Sequence, residues 1–144
     1  MIALLQRVRE ASVEVDGSCI GRIDQGVLAL IGVQSDDSSE ILSHFVSRII
    51  NYRMFADAQG KMNLSLSDVE GGLLLVPQFT LAANTRKGRR PSFTSAATPQ
   101  YGDEIFHAMV DLARMSYSTV ECGKFGADMQ VQLINDGPVT FILD

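Results

Sequence analysis

Gly26-Val27-Leu28-Ala29-Leu30-Ile31-Gly32-Val33 is followed, after a short polar stretch, by Ile41, Leu42, Phe45, Val46, Ile49 and Ile50 at helical spacing. The first run carries no polar side chain, which suits a strand buried on both faces. The second changes the hydrophobic period to that of an amphipathic helix, predicted over Ser35 to Ile50. A doubly buried strand delivering into a one-faced helix is the unit of an α/β layered fold. Asp37 with Glu40 three residues later reads as a capping box, Asp standing in for the usual Ser or Thr.

Outward from this unit, the chain toward its N-terminus reads as β. Ile2 to Val8 is apolar-rich, Ser12 to Val15 alternates, and Asp16-Gly17 is a two-residue hairpin signal returning through Cys19 to Ile23. Toward the C-terminus, Tyr52 to Phe55 reads as a short strand and Ala58-Gln59-Gly60 as a turn. Gly71-Gly72 introduces a second apolar strand, Leu73 to Val76, which runs into Pro77-Gln78-Phe79-Thr80-Leu81. Residues 83–97, with Gly88, Pro91 and several Ser and Thr, read as a long loop, and loops of that length are often functional. Thr98-Pro99 opens a second helix with a hydroxyl N-cap and proline at its first position; Ile105, Phe106, Met109, Val110 and Ala113 form its stripe. Met129, Val131 and Leu133 then alternate with Gln130 and Gln132, Asn135 to Pro138 reads as a turn, and Val139 to Leu143 as the last strand. The order implies one α/β domain over residues 1–144, with a mixed sheet and two main helices.

The 46% hydrophobic and 20% charged content of the 144 residues is that of a soluble globular chain. No apolar run approaches the ~20 residues that span a bilayer. Arg7 and Arg9 follow a short apolar stretch, the reverse of a secretory signal, so the expected location is the cytoplasm and no membrane partner is expected. Cys19 and Cys122 are too far apart for a CxxC site and read as two reduced thiols. The net charge of −5 argues against a broad nucleic-acid footprint, but Arg86, Lys87, Arg89 and Arg90 form a local basic patch.

Familiar catalytic patterns are absent: no GxSxG, P-loop, HExxH or GxGxxG. His44 and His107 both fall inside predicted helices beside core-type Phe, which disfavours a Ser-His-Asp arrangement. Asp36, Asp37 and Glu40 cluster at a helix start, where the dipole accounts for them, so neither a metal nor a cofactor is expected. Two segments stand out instead: Gln78-Phe79-Thr80-Leu81 after a buried strand, and Asn135-Asp136-Gly137-Pro138-Val139-Thr140, whose Gly-Pro bond is a plausible cis peptide.

With PQFTL at 77–81 and NDGPVT at 135–140, the chain resembles the D-aminoacyl-tRNA deacylase family over essentially its whole length. Similar stretches are MIALLQRV at 1–8, GKMN at 60–63, RRPSF at 89–93 and GKFGADM at 123–129. The family commonly has Ser where this chain has Pro77, so a hydroxyl and a backbone donor are lost there. The resemblance implies a three-layer α/β/β arrangement and a homodimer with active sites at the subunit interface. It implies hydrolysis of the ester of D-aminoacyl-tRNA. It places Gln78, Phe79 and Thr80 in one subunit's pocket, with a cis Gly137-Pro138 inserted by the other and read as the element that rejects L substrates. Phe125 and Met129 are then expected to line the terminal-adenosine pocket, and Arg86, Lys87, Arg89 and Arg90 to meet tRNA phosphates. The aminoacyl ester is already activated, so backbone N–H groups near Phe79 and Thr80 could hold the carbonyl oxygen while water attacks; Thr80 as nucleophile is the rival. A hydrolase of another activated ester and a non-catalytic binder of RNA 3′ ends remain as alternatives.

Overall fold

The computed structural model describes residues 1–86 and 88–144. Its framework is a mixed sheet built on β1 (Ile2–Val15), which pairs antiparallel with β2 (Ser18–Ile23), β3 (Gly26–Gly32) and β8 (Gln130–Leu143). Beyond β3, the strands β6 (Gly72–Pro77) and β7 (Val120–Cys122) continue the sheet in parallel. One strand has three partners because β1 bends. Ile2 to Val8 pairs with β3, Ala11 to Val15 pairs with β2, and β8 follows both halves with register shifts around Val8.

That bend produces a third layer. Along β3 and β6 successive side chains face opposite ways. Val27, Ala29, Ile31, Leu73 and Leu75 enter one core, while Leu28, Leu74 and Val76 enter another with Val8, Ala11, Val13 and Ile23 of the curled hairpin. The first core is closed by two helices, α1 (Leu42–Asn51) through Phe45, Val46, Ile49 and Ile50, and α3 (Pro99–Ser116) through Ile105, Phe106, Met109 and Val110. Helices, sheet and curled sheet are the expected three layers. GVLALIGV holds no polar residue because both its faces are covered.

The β layers approach closely where β3 and β6 begin. Gly26 and Gly72 are parallel partners, and a Cβ on Gly26 would lie 1.9 Å from the Gly72 carbonyl oxygen. A Cβ on Gly72 would lie 2.7 Å from Cβ of Ile23 in the layer above. Asp16-Gly17 turns with both residues at positive φ, 51° and 76°, as a type I′ hairpin needs.

The structure extends one reading and corrects two. Ile2–Val8 and Ser12–Val15 are halves of one strand; sheet curvature, which the alternation does not encode, joins them. Asn135 to Pro138 is not a turn between strands but a bulged stretch inside β8. Asp37 does not cap a helix either. The helical region starts at Ser39 as a single 3₁₀ turn, with α1 from Leu42, and Ser38 makes no capping bond. Asp37 is buried, and its carboxylate accepts from the Met1 ammonium and from the backbone N–H of Gln34 at 2.7 Å. A true capping box is at Ser65 and Asp68, opening α2 (Leu66–Val69) after the hairpin β4 (Phe55–Ala56) and β5 (Met62–Leu64). There the Ser65 N–H and hydroxyl hold the Asp68 carboxyl below its ordinary value. Among the described residues, no helix is long and apolar enough to cross a membrane.

Candidate active site

The parallel strands β3 and β6 end side by side, and in α/β sheets the crevice beyond such ends is where ligands bind. Here it is a cavity of about 430 Å³. Ile31 and Val33 come from the end of β3, and Val76, Pro77, Gln78 and Phe79 from the end of β6. The first turns of α3 add Pro99, Gly102 and Phe106, and the segment before β8 adds Phe125, Met129 and Val131. Gln78 alone among these brings a polar side chain, and none brings a charge. Such a wall suits a flat, uncharged ring system and offers no counter-charge to a free carboxylate or ammonium.

Local sequence explains the shape. The Gln78 N–H donates to the Ile31 carbonyl at 2.7 Å, the last bond of the parallel ladder. Pro77 has no donor to give, and lies two residues beyond Leu75, the last residue paired with β7, where none is needed. The chain then tightens into a 3₁₀ turn over Phe79–Ala82. The turn leaves the N–H groups of Phe79 and Thr80 without an acceptor among the described residues. Gln78 folds over the same turn, its Nε2 donating to Thr80 Oγ1 at 2.5 Å. On the opposite wall Gly102 makes room for Phe125, since a Cβ there would meet Phe125 Cζ at 3.1 Å.

Gln78, Phe79, Phe125 and Met129 therefore share one cavity, with the Thr80 hydroxyl bonded to Gln78 at its edge. Arg86, Arg89 and Arg90 are exposed on the loop that follows, and none enters an ion pair among the described residues. Lys87 lies outside the described residues. The two histidines are exposed on α1 and α3, and neither lines the cavity. Among the described residues, no three His, Cys, Asp or Glu side chains converge as a metal site requires.

Gly137 and Pro138 are not brought to this cavity within the chain. They are exposed, joined by a cis peptide, and sit beside Arg7. Arg7 pairs with Val27, four strand residues before Ile31, which puts the bulge about 13 Å from the cavity end. The bulge is well held. Arg7 Nε donates to the Asp136 carbonyl at 2.9 Å while Nη1 donates to the Met54 carbonyl at 2.8 Å. Asn135 spans it, accepting from the Val139 N–H and donating to Thr140 Oγ1, each at 2.9 Å.

Sequence reasoning missed the α3 contribution. Its signal was available: Gly102 sits in a helix, where glycine is costly, one turn after Pro99. It also missed the polar tie behind the wall, where Tyr101 donates its hydroxyl to the Asp37 carbonyl at 2.6 Å.

Known proteins agree with this architecture. A family model described as D-Tyr-tRNA(Tyr) deacylase matches residues 4–144. A D-aminoacyl-tRNA deacylase of Pseudomonas paraeruginosa is 58% identical over 144 residues, covering 100% of this chain and 99% of the relative. One of Alkalilimnicola ehrlichii is 60% identical over 144 residues, covering 100% and 96%. A solved structure described as c-Myc DNA Unwinding Element Binding Protein superposes with a TM-score of 0.95 at 38% identity, covering 100% of this chain and 98% of that one. A probable eukaryotic D-amino acid tRNA deacylase superposes with a TM-score of 0.87 at 18% identity over 99% and 97%, a likeness of fold. With a family model spanning residues 4–144 and relatives near 60% identity from end to end, the chain belongs to the D-Tyr-tRNA(Tyr) deacylase family.

Proposed function

We propose that this protein hydrolyses the ester joining a D-amino acid to the 3′ end of tRNA, releasing free D-amino acid and tRNA. The observation that carries the reading is the pairing of an uncharged apolar cavity with two backbone N–H groups at its rim, those of Phe79 and Thr80, that have no acceptor among the described residues. The terminal adenosine fills the cavity against Phe125 and Met129, and its volume falls within the ~300–1,000 Å³ of small-molecule sites. The ester carbonyl then lies at the 78–80 turn. Water adds to the carbonyl carbon, the N–H groups hold the oxyanion, and collapse expels the ribose 3′ oxygen, which takes a proton. The neighbouring ribose hydroxyl orients the water. Arg86, Lys87, Arg89 and Arg90 contact phosphates near the acceptor end, a small footprint that reads no sequence.

The site is completed by a second copy of the chain. Gly137 and Pro138 do not reach the cavity of their own chain and remain free to enter another's. An apolar stripe supports association: Ile142, Leu4 and Leu30 are neighbours in register on one face of the sheet, and Ile142 is 65% exposed. The backbone of Gly137-Pro138 rejects L substrates by exclusion. A side-chain pocket cannot do so, because the same side chains occur on both enantiomers. The cytoplasm, where charged tRNA is made and used, is its place of action.

The test is release of amino acid from D-Tyr-tRNA and L-Tyr-tRNA by the purified protein. The D substrate is expected to react at least about 100-fold faster, a difference of roughly 2.7 kcal/mol in barrier. Equal rates, or equal activity on a free D-aminoacyl ester, would overturn the reading.

Thr80 acts as a positioning group. Its hydroxyl is bonded to an amide donor, Gln78 Nε2, which cannot take a proton from it, and a nucleophilic hydroxyl needs a base. Thr80→Val is therefore expected to lower turnover by less than about 100-fold, since one neutral hydrogen bond contributes roughly 0.5–1.5 kcal/mol. An acyl-Thr80 adduct trapped by mass spectrometry would refute this.

A further inference from the structure

We propose that Phe93, with the outer face of Phe79, forms a stacking site for the base immediately 5′ of the terminal adenosine. The proposal rests on the tRNA reading above and extends it by one nucleotide. Phe79 and Phe93 are 55% and 41% exposed, yet their rings touch, with centroids 5.2 Å apart and planes at 48°. Two large aromatic rings left in water beside each other need a partner, and Phe79 also lines the cavity. The exposed rings are thus continuous with the pocket assigned to the terminal base.

The loop carrying Phe93 adds the second half of the argument. Paired hydrogen bonds between Asn84 and Ser92, 2.7 and 3.1 Å, close the loop's base, so Arg86, Arg89 and Arg90 stand on its tip and Phe93 just below it. Aromatic rings beside unpaired cations are the means by which proteins bind single-stranded nucleic acid without reading sequence, since every base has a π face. In a chain of net charge −5 this face is locally basic, complementary to a strand of phosphates. The occupant is the single-stranded 3′ end of tRNA, and a ring stack suits a strand shared by substrates that differ in their amino acid.

The test compares three probes by titration calorimetry: AMP, the trinucleotide CCA, and CCA lacking its middle base. CCA is expected to bind the full-length protein about tenfold more tightly than AMP, the scale of one stacked base, and the abasic probe to lose that gain. Phe93→Ala should weaken CCA about tenfold and leave AMP unchanged, and Phe93→Trp should restore CCA binding. Unaltered CCA binding by Phe93→Ala overturns the stacking site, as does a parallel loss for AMP, which would mean that Phe93 only supports the cavity wall. If the unmodified protein deacylates D-Tyr-tRNA while Phe93→Ala behaves in either of those ways, the deacylase reading stands and this inference alone falls. Failure of the unmodified protein to bind either AMP or CCA would remove both.

Discussion

Replacing Asp37 with alanine is expected to lower the unfolding free energy by about 3–5 kcal/mol, the cost of leaving a buried charge without its partner. Met1 and Asp37 are both buried, at 7% and 6% exposure. The ammonium also donates to Gln34 Oε1 at 2.9 Å, a neutral group that cannot balance its charge. Water is expected to enter, or β1 to fray at its first pair, Ile2 with Gly32. The damage should reach the cavity. Asp37 holds Gln34 through its carboxylate and Tyr101 through its carbonyl. The next residues, Val33 and Ser35, bond to Ala97 and Ser95 across the cavity's far wall. Denaturant titration measures the stability loss. Asp37→Asn, which keeps an acceptor but no charge, should fall between the two proteins. A loss below about 1 kcal/mol for Asp37→Ala would show that the pair adds nothing to stability.

Asp37 also marks where reading the sequence stops working. Hydrophobic pattern is local, and it sufficed for β3 and β6, which are buried on both faces, and for α1 and α3, each of which buries one stripe. An acidic residue three before another near a helix start has the same local pattern whether it caps the helix or meets a terminus 36 residues away. The bend of β1 is equally hidden: burial steps from Ala3 and Leu5 to Val8 and then to Ala11 and Val13, and no local rule says that the partner strand changes there from β3 to β2. Short elements such as β7 owe their existence to neighbours that the local sequence does not name.

The candidate site shows the same division. Gln78, Phe79 and Thr80 stand out because they follow a buried strand, while their assignment to a pocket rests on the resemblance. The pocket role of Phe125 and Met129 came from resemblance alone; the alternation that Met129 opens marks a strand and says nothing of a cavity. Gly137 and Pro138 were readable as special residues but not as strand residues. A Gly-Pro pair usually ends a strand, and this one survives inside β8 only because Asn135 and Arg7 take over the lost backbone bonding.

Gly137→Ala is expected to reduce turnover of D-aminoacyl-tRNA at least about 100-fold in a protein that stays folded, roughly 2.7 kcal/mol in barrier. Gly137 has φ of +142°, a conformation L side chains rarely adopt. A Cβ there would lie 2.7 Å from Val139 Cγ2, 2.9 Å from the Val139 nitrogen and 3.2 Å from Arg7 Nη2. None of these can step aside cheaply. The Val139 N–H is held by Asn135 and Arg7 is anchored at both Asp136 and Met54, so the backbone of 137 must move instead. Because the bulge is exposed, the strain should cost the fold only about 1–3 kcal/mol. If this backbone is the wall beside the substrate α-carbon, displacing it should harm catalysis far more than stability. A folded Gly137→Ala protein with full activity and full D preference would place the wall elsewhere. Mixing decides which chain the wall serves. In a mixed dimer of Gly137→Ala and Thr80→Val subunits, a shared site pairs the first chain's intact 78–80 turn with the second chain's intact Gly137. Such a mixture should turn over faster than either variant alone. If each chain's bulge served its own cavity, every site in the mixture would keep one defect, and mixing would recover nothing.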